Sequence, residues 1–140
     1  MNIFVYSREE IEAGIIVRSD YVVISVGDPD KPRPKVKKQS GLRDVLFLAF
    51  HDAEPSASLD IPADIRLMSA EDAAQIRDFV HKHKATIGAI VIHCEQGMSR
   101  SPAIAAAISQ ALDLDSRRFL RDYTPNQHVY HTVLDAFKRP

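Results

Sequence analysis

Four short segments of the chain are apolar at nearly every position and rich in β-branched residues, which is typical of strands buried on both faces of a parallel sheet. They cover residues 3–6, 21–26, 45–50 and 88–92. Elsewhere, apolar residues recur at helical spacing or follow a residue that can cap a helix. This second pattern predicts helices at 8–13, from Ser69 to about 83, at 103–112, at 114–122 and from 125 onward.

The order of these elements predicts the fold class. Strands alternate with helices, and several helices follow the last strand, as expected for an α/β domain. Such a domain has a central, mainly parallel sheet of four or five strands flanked by helices. No repeat, low-complexity segment or second domain is evident in the sequence. We therefore expect residues 1–140 to form a single domain.

The composition narrows the class of protein. Hydrophobic residues make up 45% of the chain and charged residues 26%, which is ordinary for a globular protein. The net charge of -1 provides no overall attraction to nucleic acid or to anionic membranes. A single cysteine excludes an internal disulfide, and no apolar run resembles a membrane span or a signal-peptide core. These features predict a cytoplasmic protein with no nucleic-acid or membrane partner.

The stretch from His93 to Ser101 carries the candidate chemistry, because it joins a predicted strand to a predicted helix through a polar loop. Free backbone N–H groups and the positive end of the helix meet at such a junction and form an anion site. The planar guanidinium of Arg100 suits a tetrahedral dianion, and the same positive field stabilises a thiolate at Cys94. Gly97 permits the backbone conformations that turn N–H groups inward. A thiolate beneath a bound phosphate is aligned for in-line attack on phosphorus.

This stretch resembles the signature of the cysteine-dependent protein tyrosine phosphatase superfamily at five fixed positions, which are His93, Cys94, Gly97, Arg100 and Ser101. The signature is His-Cys, two residues, Gly, two residues, Arg, then Ser or Thr. The similarity is to the compact dual-specificity-like branch, in which small bacterial members look most similar to this chain. It implies a phosphatase-like fold, a phosphocysteine intermediate without a metal or other cofactor, and a phosphorylated protein or peptide as partner.

The resemblance also implies a role for each residue of the loop. Cys94 would be the nucleophile, and Arg100 would bind the phosphate and stabilise the transition state. Ser101 would donate a hydrogen bond to the thiolate or to the departing sulfur. His93 would hold the loop through the backbone near Cys94 without touching substrate. The other loop residues would offer N–H groups to the phosphate oxygens: Glu95, Gln96, Gly97, Met98 and Ser99.

The general acid is the one role for which the sequence leaves several candidates. The family supplies an Asp from the loop after the strand that precedes the helix before the signature, which makes Asp52 the first choice here. Asp52 is farther from Cys94 along the chain than is typical of the family. The alternatives are therefore Asp60, Asp64 and, more weakly, Glu54.

The favoured function is hydrolysis of a phosphomonoester, above all phosphotyrosine in a protein, with phosphoserine and phosphothreonine allowed. A lipid phosphate fits less well, because the loop contains no Lys or Arg besides Arg100. A second hypothesis is a phosphate-reading binding module with negligible turnover (a pseudophosphatase), which the unusual spacing of the acid keeps open. Sulfur transfer by a rhodanese-like loop is a third hypothesis, and the His-Cys and Arg-Ser flanks fit it poorly.

Basic residues are concentrated between the second and third predicted strands, in a segment broken by proline and glycine. They are Lys31, Arg33, Lys35, Lys37, Lys38 and Arg43. A solvated surface loop is the simpler interpretation. The alternative is a rim beside the candidate site that attracts an acidic substrate.

Overall fold

The computed structural model describes residues 1–55 and 61–139. Within these ranges, the sheet contains β1 (Asn2–Ser7), β2 (Tyr21–Gly27), β3 (Leu42–Ala49) and β4 (Ala89–Cys94). The helices are α1 (Arg8–Ala13), α2 (Ala70–His83), α3 (Arg100–Ala111), α4 (Arg117–Arg121) and α5 (Gln127–Lys138). No helix in this part of the chain is long and apolar enough to cross a membrane.

Neighbouring strands of the sheet all run parallel, in the order β1-β4-β2-β3. The two central strands, β2 and β4, are buried along their whole length. This position explains why their sequences are apolar at nearly every position, whereas a strand with one solvated face would alternate. The architecture confirms the predicted α/β class with a parallel sheet flanked by helices.

Helices cover both faces of the sheet, so there are two hydrophobic cores. On one face, α2, α3 and α5 enclose the larger core, which includes Phe50 and Ile104. On the other face, α1 and the segment before β3 cover a smaller core around Ile11 and Val91. Nearly all of α3 is buried, and its alanine side chains let it pack closely against β4 and β1.

Three element boundaries differ from those that the sequence predicts. β3 begins at Leu42 instead of residue 45, because Leu42 pairs with Tyr21 across an irregularity in the register. α3 begins at Arg100, before the predicted start, since proline is tolerated in the first turn of a helix. α4 begins only at Arg117, because Asp113 takes a positive φ of 57° and the chain turns there.

The carboxyl ends of the four parallel strands meet at one edge of the sheet, which is where α/β proteins commonly bind ligands. The segments that follow β2, β3 and β4 therefore lie side by side at this edge. Hydrogen bonds and ion pairs join all three segments, as described next.

Candidate active site

Cys94 is the last residue of β4, and its side chain is buried at the base of the loop that follows. Its Sγ accepts hydrogen bonds from the backbone N–H of Gly97 at 3.3 Å and of Ser101 at 3.4 Å. The Ser101 hydroxyl oxygen lies 3.1 Å from the same sulfur. Two N–H donors and one hydroxyl thus surround this sulfur, an arrangement that can accommodate an attacking thiolate.

The loop is held against β1 and the start of α1. Gly97 has a φ of +73°, and a Cβ at this position would lie 2.9 Å from the backbone of Tyr6 and Ser7. A side chain there would therefore be excluded by both backbone strain and contact. The backbone N–H and the guanidinium of Arg8 donate to the carbonyl and the carboxylate of Glu95, each at 3.1 Å. The Glu95 side chain is thus occupied by Arg8.

Several backbone N–H groups of the loop are left available. The N–H groups of Gln96, Met98, Ser99 and Arg100 meet no acceptor within residues 1–55 and 61–139. The carbonyl oxygen of Met98, in contrast, accepts from the Thr124 N–H at 3.1 Å. Available N–H groups and occupied carbonyls are what an anion-binding loop requires. The side chains of Gln96 and Met98 are exposed at the rim.

Arg100 begins α3, and only 3% of it is exposed. Its Nη1 donates to the Phe50 carbonyl oxygen at 2.6 Å and forms an ion pair with Asp28 Oδ1 at 2.8 Å. Its Nε is buried and has no hydrogen-bond partner in the part of the chain that the structure describes. A buried donor without a partner costs about 1–3 kcal/mol, so this edge of the guanidinium favours binding of an anion.

Asp28 is a site residue that the sequence did not single out, because Gly27-Asp28-Pro29 resembles an ordinary turn. Its carboxylate bridges the guanidinium of Arg100 and, at 3.4 Å, the ammonium of Lys31. Desolvation by burial raises the pKa of Asp28, but Arg100 and Lys31 together outweigh it and hold that pKa below its ordinary value. Asp28 is therefore anionic at neutral pH and orients Arg100. Its place directly after a central strand is the signal that could have revealed it.

Asp52 lies at the same edge of the sheet and contacts the loop. Its Oδ1 accepts hydrogen bonds from the Ser99 hydroxyl at 2.8 Å and from Asn126 Nδ2 at 2.9 Å. The side chain is otherwise exposed, and its Oδ2 has no hydrogen-bond partner among the described residues. Asp52 can therefore present one carboxyl oxygen to a group bound in the loop.

Of the other candidate acids, the structure describes Asp64 and Glu54, and neither contacts the loop as Asp52 does. Asp64 is exposed and makes no hydrogen bond or ion pair to the loop within the described ranges. Asp60 lies outside the described residues. Glu54 accepts from the backbone N–H of Gln127 at 2.5 Å, at the beginning of α5. The geometry therefore favours Asp52 over the described alternatives.

Asn126 is a second site residue whose role the sequence left unassigned, since it predicted only the start of a helix there. Its Oδ1 caps α5 by accepting from the Val129 N–H at 3.0 Å. Its Nδ2 donates to Asp52 Oδ1 and to the Ala53 carbonyl oxygen, and its own N–H donates to Ser99 O. A single buried side chain thus joins α5, the segment that carries Asp52, and the loop.

His93 is fully buried on β4, and its ring contacts a neighbouring strand and the backbone rather than the anion site. Burial lowers its pKa from 6.5 to about 4, so the ring is neutral at physiological pH. Nδ1 donates to the Cys94 carbonyl oxygen at 3.3 Å, which leaves Nε2 to accept from the Ser25 hydroxyl at 2.6 Å. The ring therefore fixes the backbone at Cys94.

The buried neutral state of His93 predicts a pH dependence of stability. Below pH 6.5 the unfolded chain binds a proton at this residue, whereas the folded chain does not until about pH 4. The contribution of neutral His93 to the free energy of unfolding should therefore be complete above pH 6.5 and should decrease as the pH falls toward 4. The lowered pKa corresponds to about 3 kcal/mol. Urea unfolding of His93→Gln across this range should lack that component.

The matched control for this experiment is His81→Gln, because His81 is exposed on α2. It should retain the wild-type pH dependence. An unchanged pH dependence in His93→Gln would contradict the assignment of a buried neutral imidazole.

The described residues contain no group of three or more His, Cys, Asp or Glu side chains placed to hold a metal ion. Apart from the Glu95 carboxylate, which Arg8 binds, the titratable groups at the loop include the Cys94 thiol, the carboxylates of Asp28 and Asp52, and the Arg100 guanidinium. These groups can bind a tetrahedral oxyanion, attack it and exchange a proton with it.

Comparison with known proteins places this geometry in context. No protein-family model and no curated protein matches the chain. Among solved structures, the human tyrosine phosphatase-like serine/threonine/tyrosine-interacting protein is 18% identical, with 82% of this chain and 74% of that one covered and a TM-score of 0.54. Human DUSP28 is 16% identical, with 97% and 91% covered and a TM-score of 0.50. Tk-PTP in its active form is 17% identical, with 100% and 94% covered and a TM-score of 0.53.

These structures define the class of fold that the chain has, which is the fold of tyrosine and dual-specificity phosphatases. The predicted phosphatase-like fold is therefore confirmed. Similarity to small bacterial members stays a prediction from the sequence.

Proposed function

We propose that the chain is a phosphomonoester hydrolase that acts on phosphotyrosine, or with dual specificity, in proteins through a phosphocysteine intermediate. One arrangement supports this proposal most directly. The sulfur of Cys94, with two N–H donors and a hydroxyl around it, shares a loop with the buried Nε of Arg100, which has no partner among the described residues. The arrangement suits a nucleophile beneath a bound phosphate dianion.

In the first step, the Cys94 thiolate attacks phosphorus, and the S–P bond forms as the ester P–O bond breaks. The proton on Asp52 passes to the leaving oxygen, so that a neutral phenol or alcohol departs. The Nε of Arg100 and the available N–H groups of the loop stabilise the charge on the three remaining phosphoryl oxygens. Oδ2 is the oxygen of Asp52 that carries the proton, because both hydrogen bonds go to Oδ1.

In the second step, water attacks the phosphocysteine, and its O–P bond forms as the S–P bond breaks. The Asp52 carboxylate accepts a proton from that water, which restores the acid for the next cycle. The Ser101 hydroxyl stabilises the sulfur as it departs, from its position 3.1 Å away. Inorganic phosphate and the free thiolate are the products.

The composition of the loop and the fold support a phosphorylated protein as the class of substrate. The loop has one cation, Arg100, which suits a single phosphoryl group on a protein better than a highly charged lipid headgroup. A phosphorylated protein or peptide is thus the proposed partner. The cytoplasm, where a single thiol stays reduced, is the proposed compartment.

A phosphate-reading module with negligible turnover remains a second candidate, because Asp52 is engaged at the site. Its Oδ1 already accepts hydrogen bonds from Ser99 and Asn126, so this oxygen is used to join the loop and α5. One structural neighbour is itself described as a tyrosine phosphatase-like interacting protein. Turnover distinguishes the two candidates.

The test is hydrolysis of phenyl phosphate in the presence of a metal chelator, compared between wild type and Asp52→Asn. Wild type should turn over and be inhibited by vanadate. For phenyl phosphate, loss of the acid in Asp52→Asn should lower kcat by about 10²–10⁴-fold. The loss should be smaller for a second aryl phosphate whose more acidic leaving group departs without a proton. Asp64→Asn is the matched control and should keep wild-type activity. Absence of turnover in wild type would favour the binding module, and a loss only in Asp64→Asn would reassign the acid.

A further inference from the structure

The basic segment between β2 and β3 does not form one patch. Arg43 pairs with Asp20 at 2.7 Å, at the end of the sheet opposite the loop. Lys37 lies beside Gly14, also away from the loop. Lys31 and Arg33, in contrast, line a cavity together with Asp28, which pairs with Arg100. These two cations are therefore the part of the basic segment that can serve as a rim that attracts an acidic substrate.

Lys31 and Arg33 border a cavity of about 140 Å³ between the segment after β2 and the end of β3. Its walls combine these two cations with apolar groups, including Pro34, Phe47 and Leu48. A cavity with an apolar lining and cations at its border suits a side chain with an aliphatic stem and an anionic end.

Arg33 is held in place and has charge available. Its guanidinium lies 4.3 Å from the centroid of the Phe47 ring, in a cation–π contact. Arg33 is exposed and forms no ion pair with any residue that the structure describes. Because stacking already restricts the side chain, binding an anion would cost less rotamer entropy than at a free arginine.

The cavity adjoins the site where the phosphoryl group would bind. Asp28 is one of the residues that line the cavity, and its carboxylate bridges Arg100 and Lys31. The other carboxylate of this segment, Asp30, is engaged by His51 at 3.3 Å. Three cations thus lie at the cavity or beside it, which are Lys31, Arg33 and Arg100. The two carboxylates of this segment, Asp28 and Asp30, already have partners. The cavity and the phosphate site are separated by one bridging carboxylate, that of Asp28. An extended peptide spans such a separation within about two or three residues.

We propose that this cavity is a subsite for an anionic side chain of the substrate, close in sequence to the residue that carries the phosphoryl group. The anion is a carboxylate or a second phosphate, and Arg33 is its principal ligand. The proposal rests on the proposed function, since the neighbouring residue would be bound between Cys94 and Arg100.

The test measures binding of phosphotyrosine peptides to the Cys94→Ser protein, which removes turnover. Three peptides differ only in the flanking residues, which are neutral, glutamate or phosphoserine. The glutamate and phosphoserine peptides should bind about tenfold more tightly than the neutral one. Arg33→Ala, made in the same background, should abolish this preference. Comparing the two anionic peptides shows which source of negative charge the subsite prefers.

Arg43→Ala is the matched control, because Arg43 belongs to the same basic segment but pairs with Asp20 far from the loop. It should leave the preference unchanged. In a wild-type background, Arg33→Ala should leave hydrolysis of a small aryl phosphate unchanged and lower kcat/KM only for the acidic peptides. Equal binding of all three peptides, or equal losses in both arginine variants, would overturn the subsite alone. No phosphopeptide binding, together with no aryl phosphate turnover, would overturn the proposed function as well.

Discussion

Replacement of Cys94 by serine is expected to abolish turnover, with kcat for an aryl phosphate falling on the order of 10⁴-fold or more. The serine hydroxyl would occupy the place of the sulfur, but the surrounding donors do not make an alcohol a nucleophile at neutral pH. Because the variant keeps the loop and Arg100, it should still bind vanadate or phosphate. Steady-state kinetics and a vanadate titration measure the two effects separately.

Thiol alkylation provides an independent control for this prediction. Cys94 is the only cysteine of the chain, so iodoacetate labelling reports on this residue alone. Vanadate should protect wild type from labelling, and the variant should not be labelled. A thermal melt close to wild type would show that the variant is folded. Retention of wild-type kcat in folded Cys94→Ser would contradict a role for this sulfur as nucleophile.

Arg100→Lys should lower kcat/KM on the order of 10²–10³-fold, although the charge is conserved. The guanidinium of Arg100 uses one nitrogen for Phe50 and Asp28 and keeps Nε for an anion. A lysine ammonium is a compact charge without this fork and cannot serve both sides at once. Kinetics with a phosphotyrosine peptide, together with a phosphate inhibition constant, measure the loss.

The control for this prediction is Arg43→Lys, which changes an exposed arginine that also pairs with an aspartate. Its effect on kcat/KM and on stability should be small, since exposed ion pairs contribute about 0–1 kcal/mol. The charge opposite Asp28 persists in Arg100→Lys, so that variant should also remain folded. Wild-type phosphate affinity in Arg100→Lys would show that Nε does not bind the anion.

The features that could be predicted from the sequence are those encoded locally. Each central strand is apolar at nearly every position, because β2 and β4 are buried on both faces. The loop from Cys94 to Arg100 is one short stretch, so its spacing alone indicates its chemistry. The helix start at Ser69 is likewise local, because Ser69 forms a capping box with Asp72, three residues along the chain.

The features that the sequence missed depend on strand order and long-range contacts. Asp28 reaches Arg100 because β2 lies beside β4 in the sheet. The sequence of neither strand alone indicates that the two strands are neighbours. Asn126 bonds to Asp52 across a gap of 74 residues. The basic segment also looked like one cluster, but its path across the molecule separates Arg33 from Arg43.

The central claim is that phosphate passes through a covalent bond to Cys94, and rapid acid quenching of the reaction tests it most directly. Asp52→Asn suits the experiment, because water attacks the phosphocysteine slowly when no carboxylate accepts its proton. Intact mass and peptide mapping after the quench should reveal one phosphoryl group per chain, on the peptide that contains Cys94. Phosphoryl transfer to another residue, or steady turnover with no covalent phosphate at any quench time, would contradict the mechanism.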